Sequence, residues 1–324
     1  MIVVHIGLGK TSTSTLQGYV YPKLAELKNI IFNDKKIIKL LEVDRLIGLS
    51  DKEILNFNNL IKTYSNILVS SEELVNWNPH FWEMAANRNL ELFGKHAKII
   101  ITVRDPYEYY QSIYVQKIHE GNIILPDNFF VNSKTYNLLN KFINNKVMKF
   151  IDVDSFDIEK LIKLYQSKFK VVYVVPMHGI SKMDFLKEIY SLSNIEHDNL
   201  INIYKNSSHK NISYKKLSIK LTFLREKFFN IIGATTINSD ENMLKKSQNL
   251  ISGLPEKKNI NKIFFAQKLT WRYFMNKIID KSIGKEKFCL PNNIYLNKIL
   301  IEKNRVYLNS LGSFKKYVNH KLLI

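Results

Sequence analysis

The residues Val3-Val4-His5-Ile6-Gly7-Leu8-Gly9-Lys10-Thr11-Ser12-Thr13-Ser14-Thr15-Leu16 run from a β-branched segment through two glycines and a lysine into five consecutive hydroxyl residues. Glycines let a backbone fold tightly around an anion, the first amides of a following helix donate to it, and a lysine adds a full charge. Gly7, Gly9, Lys10, Thr11, Ser12, Thr13 and Ser14 are therefore candidate ligands of a phosphate or sulfate group. The plainer reading makes Thr11 or Thr13 an N-cap and the glycines a turn; the strand, glycines, lysine and hydroxyls occurring together argue for the cradle.

A second candidate is Lys98-Ile99-Ile100-Ile101-Thr102-Val103-Arg104-Asp105-Pro106, an apolar run ending at an arginine, with Ser112 eight residues beyond Arg104 on a stretch of helical character. Arginine offers a planar fork matched to phosphate oxygens and serine a single donor and acceptor, a pair suited to a phosphate monoester. Singly, Arg104 reads as an ion-pair partner of Asp105 or a neighbour, and Ser112 as an exposed helix position. For a general base the first choice is Glu72, because Ile67-Leu68-Val69-Ser70-Ser71 reads as a strand that delivers it to the edge carrying the loop. A surface carboxylate at a helix start is the ordinary alternative. Glu73, His5 and His119 stand in reserve, His5 reading as a satisfied core imidazole and His119 as solvated. Trp77, Phe81 and Trp82 would suit a sugar-binding wall, although aromatics at this spacing are more often core, and Tyr107, Tyr109, Tyr110 and Tyr114 carry the same ambiguity.

Positioning these groups takes buried strands. Ile2 to Ile6, Asn29 to Phe32, Asn66 to Ser70, Lys98 to Val103 and Lys170 to Val175 are apolar without strict alternation, as in a parallel sheet covered on both faces. Lys149 to Val153 is a weaker strand. Helical spacing falls between them at Leu16 to Leu27, Asp51 to Tyr64, Pro79 to Leu92 and Asp184 to Leu192. Tyr214 to Phe229, Asn261 to Ile279 and Asn292 to Leu311 also read as helical. The expected fold is α/β, a parallel central sheet flanked by helices, within one domain over 1–324: an α/β core over 1–205 and a mainly helical, basic C-terminal part over 206–324.

Composition bounds the rest. The chain has 324 residues, a formal charge of +19, 45% hydrophobic residues and one cysteine, which suits a globular protein in a reducing compartment and excludes a disulfide scaffold. Basic and acidic groups number 24 and 22 through residue 200, then 24 and 7 beyond it. Such a field concentrates anions, yet a Lys-, Asn- and Ile-rich composition alone would produce it, so charge does not name the partner. No apolar run reaches the ~18 residues of a membrane span and no leader pattern opens the chain, so a cytoplasmic location is expected. Nothing in the sequence fixes an oligomeric state.

Gly9-Lys10-Thr11 is also the tail of a nucleoside-triphosphate loop, but the glycine that pattern needs five residues earlier is Val4. A kinase would further want an acidic residue for Mg²⁺ at a strand end, for which Glu72 or Asp152 could serve. The two anion motifs together resemble the family of sulfotransferases that use 3′-phosphoadenosine 5′-phosphosulfate, PAPS. Gly7 to Thr15 looks like that family's loop for the 5′-phosphosulfate, and Arg104-Asp105-Pro106 with Ser112 like its 3′-phosphate motif. Asn66 to Glu73, Lys210 to Tyr214 and Glu302 to Gly312 resemble later family segments. Ser12 stands where a glycine is common, and Pro176-Met177-His178 replaces a frequent acidic motif.

The resemblance implies a P-loop-like sulfotransferase fold and transfer of a sulfuryl group by in-line displacement to a hydroxyl or amine, on a carbohydrate or small molecule, with Lys10 on the leaving group, Glu72 as base and no metal. An ATP- and Mg²⁺-dependent small-molecule kinase is the first rival reading. A nucleic-acid-binding protein using the basic C-terminal part is the second, though no nucleic-acid module is visible.

Overall fold

The computed structural model describes residues 1–47, 49–119, 124–142, 150–207, 215–231, 275, 279 and 286–322. These form two compact units. The first joins Met1–Tyr109, Ser155–Asn211 and Asn297–Ile324; the second joins Tyr110–Asp154 and Ile212–Leu296.

The first unit holds a six-stranded sheet: β1 (Ile2–Gly7), β2 (Ile31–Phe32), β3 (Ile67–Ser70), β4 (Lys98–Val103), β7 (Val171–Pro176) and β8 (Lys315–Val318), in the order β2-β3-β1-β4-β7-β8. All neighbours pair in parallel except β8, which runs antiparallel to β7. The β-branched runs read from the sequence become these strands because both faces are covered: Val3, Val4 and Ile6 of β1, Ile99 to Ile101 of β4 and Val172, Val174 and Val175 of β7 are wholly enclosed. The second unit carries a two-stranded parallel sheet, β5 (Phe130–Val131) with β6 (Ile151–Asp152), so the weaker strand expected at 149–153 forms apart from the main sheet.

Helices follow the strands. Thr13–Thr15 (α1) continues through a wider π turn, Leu16–Val20, into α2 (Tyr21–Lys28), whose Tyr21 and Leu24 join the core. Next come α3 (Lys35–Ile47), α4 (Asp51–Lys62), α5 (Trp82–Phe93) and α6 (Pro106–His119). Ser50 opens α4 with a reciprocal capping box to Glu53, which satisfies backbone donors at the helix start. The chain goes on through α7 (Pro126–Phe129), α8 (Ser133–Phe142), α9 (Ile158–Lys168), α10 (Met177–Ile180), α11 (Asp184–Tyr190), α12 (Asn194–Asn206) and α13 (Lys216–Ile231).

The helix expected over 292–311 is observed as Lys298–Asn309. Its Asn304 is buried and holds Phe156 O and Ile158 N, tying it to the start of α9. The chain then adds β8 to the edge of β7, a strand absent from the sequence reading because Lys315, Lys316 and Val318 are exposed and only pairing defines it. Most of the helix expected over 261–279 lies outside the described residues, as do 208–214. Among the described residues no helix is long and apolar enough to cross a membrane.

Candidate functional site

In the order β2-β3-β1-β4-β7, the chain leaves β1 toward β3 on one side and later resumes on the other with β4. The carboxyl ends of β1 and β4 thus flank a topological switch point, where open parallel sheets leave a crevice for ligands. Gly7 ends β1 there and Val103 ends β4, so the glycine loop and Arg104 emerge from adjacent strand ends.

The loop is shaped by enclosure. A Cβ built on Gly7 would lie 2.6 Å from Thr13 Oγ1 and 2.7 Å from Thr102 Oγ1, so glycine is needed for space. Lys10 and Ser12 both adopt left-handed backbone, at φ 68° and 60°. Such non-glycine conformations cost of order 1–3 kcal/mol each and persist only where surroundings enforce them. The enforcement here comes from Thr11, whose buried hydroxyl donates to Leu8 O at 2.6 Å and meets Thr102 Oγ1 at 2.7 Å and Thr13 Oγ1 at 3.3 Å.

The loop hydroxyls accordingly divide. Those of Thr11 and Thr13 turn into a buried network, where they hold the loop's shape, whereas Ser12 and Ser14 are half-buried. Gly9 and Lys10 are also half-buried.

Arg104 is turned toward the loop: its Nη1 donates to Lys10 O at 3.0 Å. Its Nε donates to Glu108 at 3.0 Å, one helical turn along. Glu108 was missed in the sequence, although an acid four residues after an arginine at a helix start is a readable pairing signal. Ser112 lies one further turn along α6 and is half-buried. Next to Arg104, Asp105 is clasped by Arg305, with Nε to Oδ2 at 2.5 Å. Burial pushes the Asp105 carboxyl up, but hydrogen bonds from Arg305 and the Glu108 amide outweigh it and hold the group below its ordinary range.

Glu72 follows β3 in a short 3-10 turn, Glu72–Leu74. Its Oε2 would lie 3.6 Å from a Cβ built on Gly9, so the carboxylate sits against the loop. Burial raises the pKa of Tyr109, and the negative charge of Glu72 raises it further.

The reserve histidine His5 is a wholly buried imidazole held by Ser70 Oγ at 2.8 Å and Thr102 Oγ1 at 3.2 Å; desolvation lowers its pKa to about 3. The aromatic clusters are largely core. The Trp82 indole is buried and donates to Asn76 O, Tyr109 stacks on Phe156, and Tyr110 and Tyr114 pack with Phe130. Trp77 and Phe81 are half-buried. Asp152, weighed as an acidic partner for a triphosphate, ends β6 of the two-stranded sheet and accepts from the Ser133 hydroxyl and the Asp154 amide. Among the described residues no group of three or more His, Cys, Asp or Glu is arranged to hold a metal.

Fold and site together define an α/β protein with a mostly parallel sheet whose switch point carries a glycine, lysine and hydroxyl loop facing an arginine and a glutamate. Comparison of the chain with protein-family models, with curated proteins and with solved structures finds no match.

Proposed function

We propose that the chain is a sulfotransferase that uses PAPS as donor and acts on a hydroxyl or amine of a carbohydrate or small molecule. The observation that carries this reading is the 3.0 Å hydrogen bond from Arg104 Nη1 to Lys10 O, which brings an arginine and a glycine-lysine loop into one crevice. One nucleotide bearing a 5′-phosphosulfate and a 3′-phosphate presents two anions on one ribose and needs two such clamps. The residues fit that group: a guanidinium has five N–H donors, and the hydrogen bonds to Lys10 O and Glu108 use two.

In the proposed step the acceptor oxygen forms a bond to sulfur while the bond from sulfur to the 5′-phosphate oxygen breaks. Adenosine 3′,5′-bisphosphate leaves, and the acceptor proton passes to Glu72. Lys10 and the loop amides stabilise the charge that develops on the departing oxygen. Arg104 fixes the 3′-phosphate and so the direction of displacement. A sulfuryl group carries less charge than a phosphoryl group, so these cations suffice for the transfer.

Ligand-dependent thermal unfolding tests the reading. Adenosine 3′,5′-bisphosphate is expected to raise the melting temperature without metal, and Lys10→Ala or Arg104→Ala to abolish that rise. ATP with Mg²⁺ stabilising the chain in place of the bisphosphate would overturn the proposal in favour of a kinase. Glu72→Gln is expected to keep the bisphosphate shift and lose transfer; full turnover in that variant would remove Glu72 from its role.

A further inference from the structure

Beneath the loop, the strand ends carry polar groups that the proposed reaction does not use, and their hydrogen bonds can be assigned proton by proton. The Leu8 carbonyl only accepts, so the single Thr11 hydroxyl proton is committed to it. Thr11 must then accept from Thr102, which commits the Thr102 proton. Thr102 can therefore only accept from His5, so His5 carries its proton on Nε2. Wholly buried and with its pKa held to about 3, the imidazole is neutral, which leaves Nδ1 bare to accept from the Ser70 hydroxyl. Ser70 Oγ in turn accepts from the Gln17 amide nitrogen at 3.0 Å, and that same nitrogen donates to Ser70 O at 2.9 Å. Asn33 completes the clamp by donating to Ser70 O and accepting from Ser70 N. The edge of Tyr21 covers the imidazole at 5.5 Å.

We infer that His5 is the positioning residue of the loop: held as the Nε2–H tautomer, it is the middle link of a one-way hydrogen-bond chain from Gln17 and Ser70 through Thr102 to Thr11. The chain ties the loop turn to the end of β3, two residues ahead of Glu72, so that the loop and the glutamate keep a common register. No other tautomer satisfies every member. With the proton on Nδ1, Nε2 and Thr102 would have no proton between them once Thr102 has donated to Thr11, and a half-satisfied buried network is unstable.

The inference concerns the loop itself and stands apart from the choice of ligand. Imidazole ¹⁵N spectra of the full chain, with the His5 signals assigned by their absence in His5→Gln, are expected to show protonated Nε2, bare Nδ1 and no titration between about pH 5 and 8. A proton on Nδ1, or titration near the free-histidine value, overturns the assignment. Amide hydrogen exchange then reads the loop. His5→Gln keeps a donor near the Nε2 position and is expected to hold exchange at Gly9 to Thr13 within about threefold of wild type. His5→Asn and Thr102→Val break the Thr102 link and are expected to raise it by about tenfold or more. Equal acceleration in all three variants, following their loss of global stability, would reduce His5 to a packing role and overturn the inference. Failure of the bisphosphate to bind would defeat the sulfotransferase reading while leaving these two measurements decisive.

Discussion

The ends of β1 and β4 lie side by side and are built on opposite principles. Under the β1 loop the groups are neutral and mutually satisfied, from the half-buried Gln17 through the buried Ser70, His5, Thr102 and Thr11 to the Leu8 carbonyl. At the β4 rim they are charged and partly exposed: Arg104 with Glu108, and Asp105 with Arg305. Buried neutral networks act together and rigidify, because each member has no water to fall back on. Exposed ion pairs contribute little to stability and exchange readily for another anion. The sulfotransferase proposed above would need both kinds of support, since it must keep its shape yet release and rebind a charged nucleotide.

The contrast can be broken at its strongest point first. Gly7→Ala forces a methyl against Thr13 and Thr102, and neither hydroxyl can retreat without opening the network. A loss of about 2–3 kcal/mol is expected in denaturant unfolding; a loss below about 0.5 kcal/mol would mean the network is loosely packed.

Next in size is the pH dependence. His5 has its folded pKa lowered from 6.5 to about 3 by desolvation. The unfolded chain therefore binds the proton first, so this contribution is fully present above pH 6.5 and is lost as pH falls toward 3. Between pH 6.5 and 5 the loss is about 2 kcal/mol, and His5→Gln should flatten that part of the stability profile relative to wild type. Matching slopes in the two proteins would sink the buried-neutral assignment.

At the rim the effects shrink. The folded pKa of Asp105 is lowered, so its pair with Arg305 supports the fold above the ordinary aspartate value of 3.8 and ceases to do so as pH falls below it. Asp105→Asn should cost below about 1 kcal/mol at neutral pH, with the cost fading in high salt. The smallest change in stability is expected for Glu108→Gln, about 0.3–0.5 kcal/mol. That variant frees the Arg104 Nε edge and removes a negative charge, so bisphosphate binding should tighten severalfold by calorimetry. Weaker binding would show that Glu108 orients Arg104 and does not compete for it.

Much of the sheet was legible because burial on both faces leaves its mark locally. The runs Ile2 to Ile6 and Lys98 to Val103 reappear as β1 and β4 within a residue. The supporting network was harder to read. His5, Ser70 and Thr102 are each a polar residue inside an apolar run, a visible anomaly, but their meeting depends on the register that pairs His5 with Ser70 and Gly7 with Thr102. Gln17 and Asn33 gave no signal at all, since any amide on a helix or turn looks solvated until the fold brings it to Ser70.

By itself the sequence determined which apolar runs become the parallel strands of the main sheet and which turn is short, glycine-rich and cationic, because those follow from side-chain hydrophobicity and backbone sterics over a few residues. Tertiary structure alone decided that β1 and β4 are neighbours, that Thr11 and Thr13 face inward, that Arg104 bends over the Lys10 turn, and that the C-terminal residues return as β8. Each of these rests on contacts between residues far apart in the chain, and a hydrogen bond carries no trace in the sequence of which distant partner will complete it.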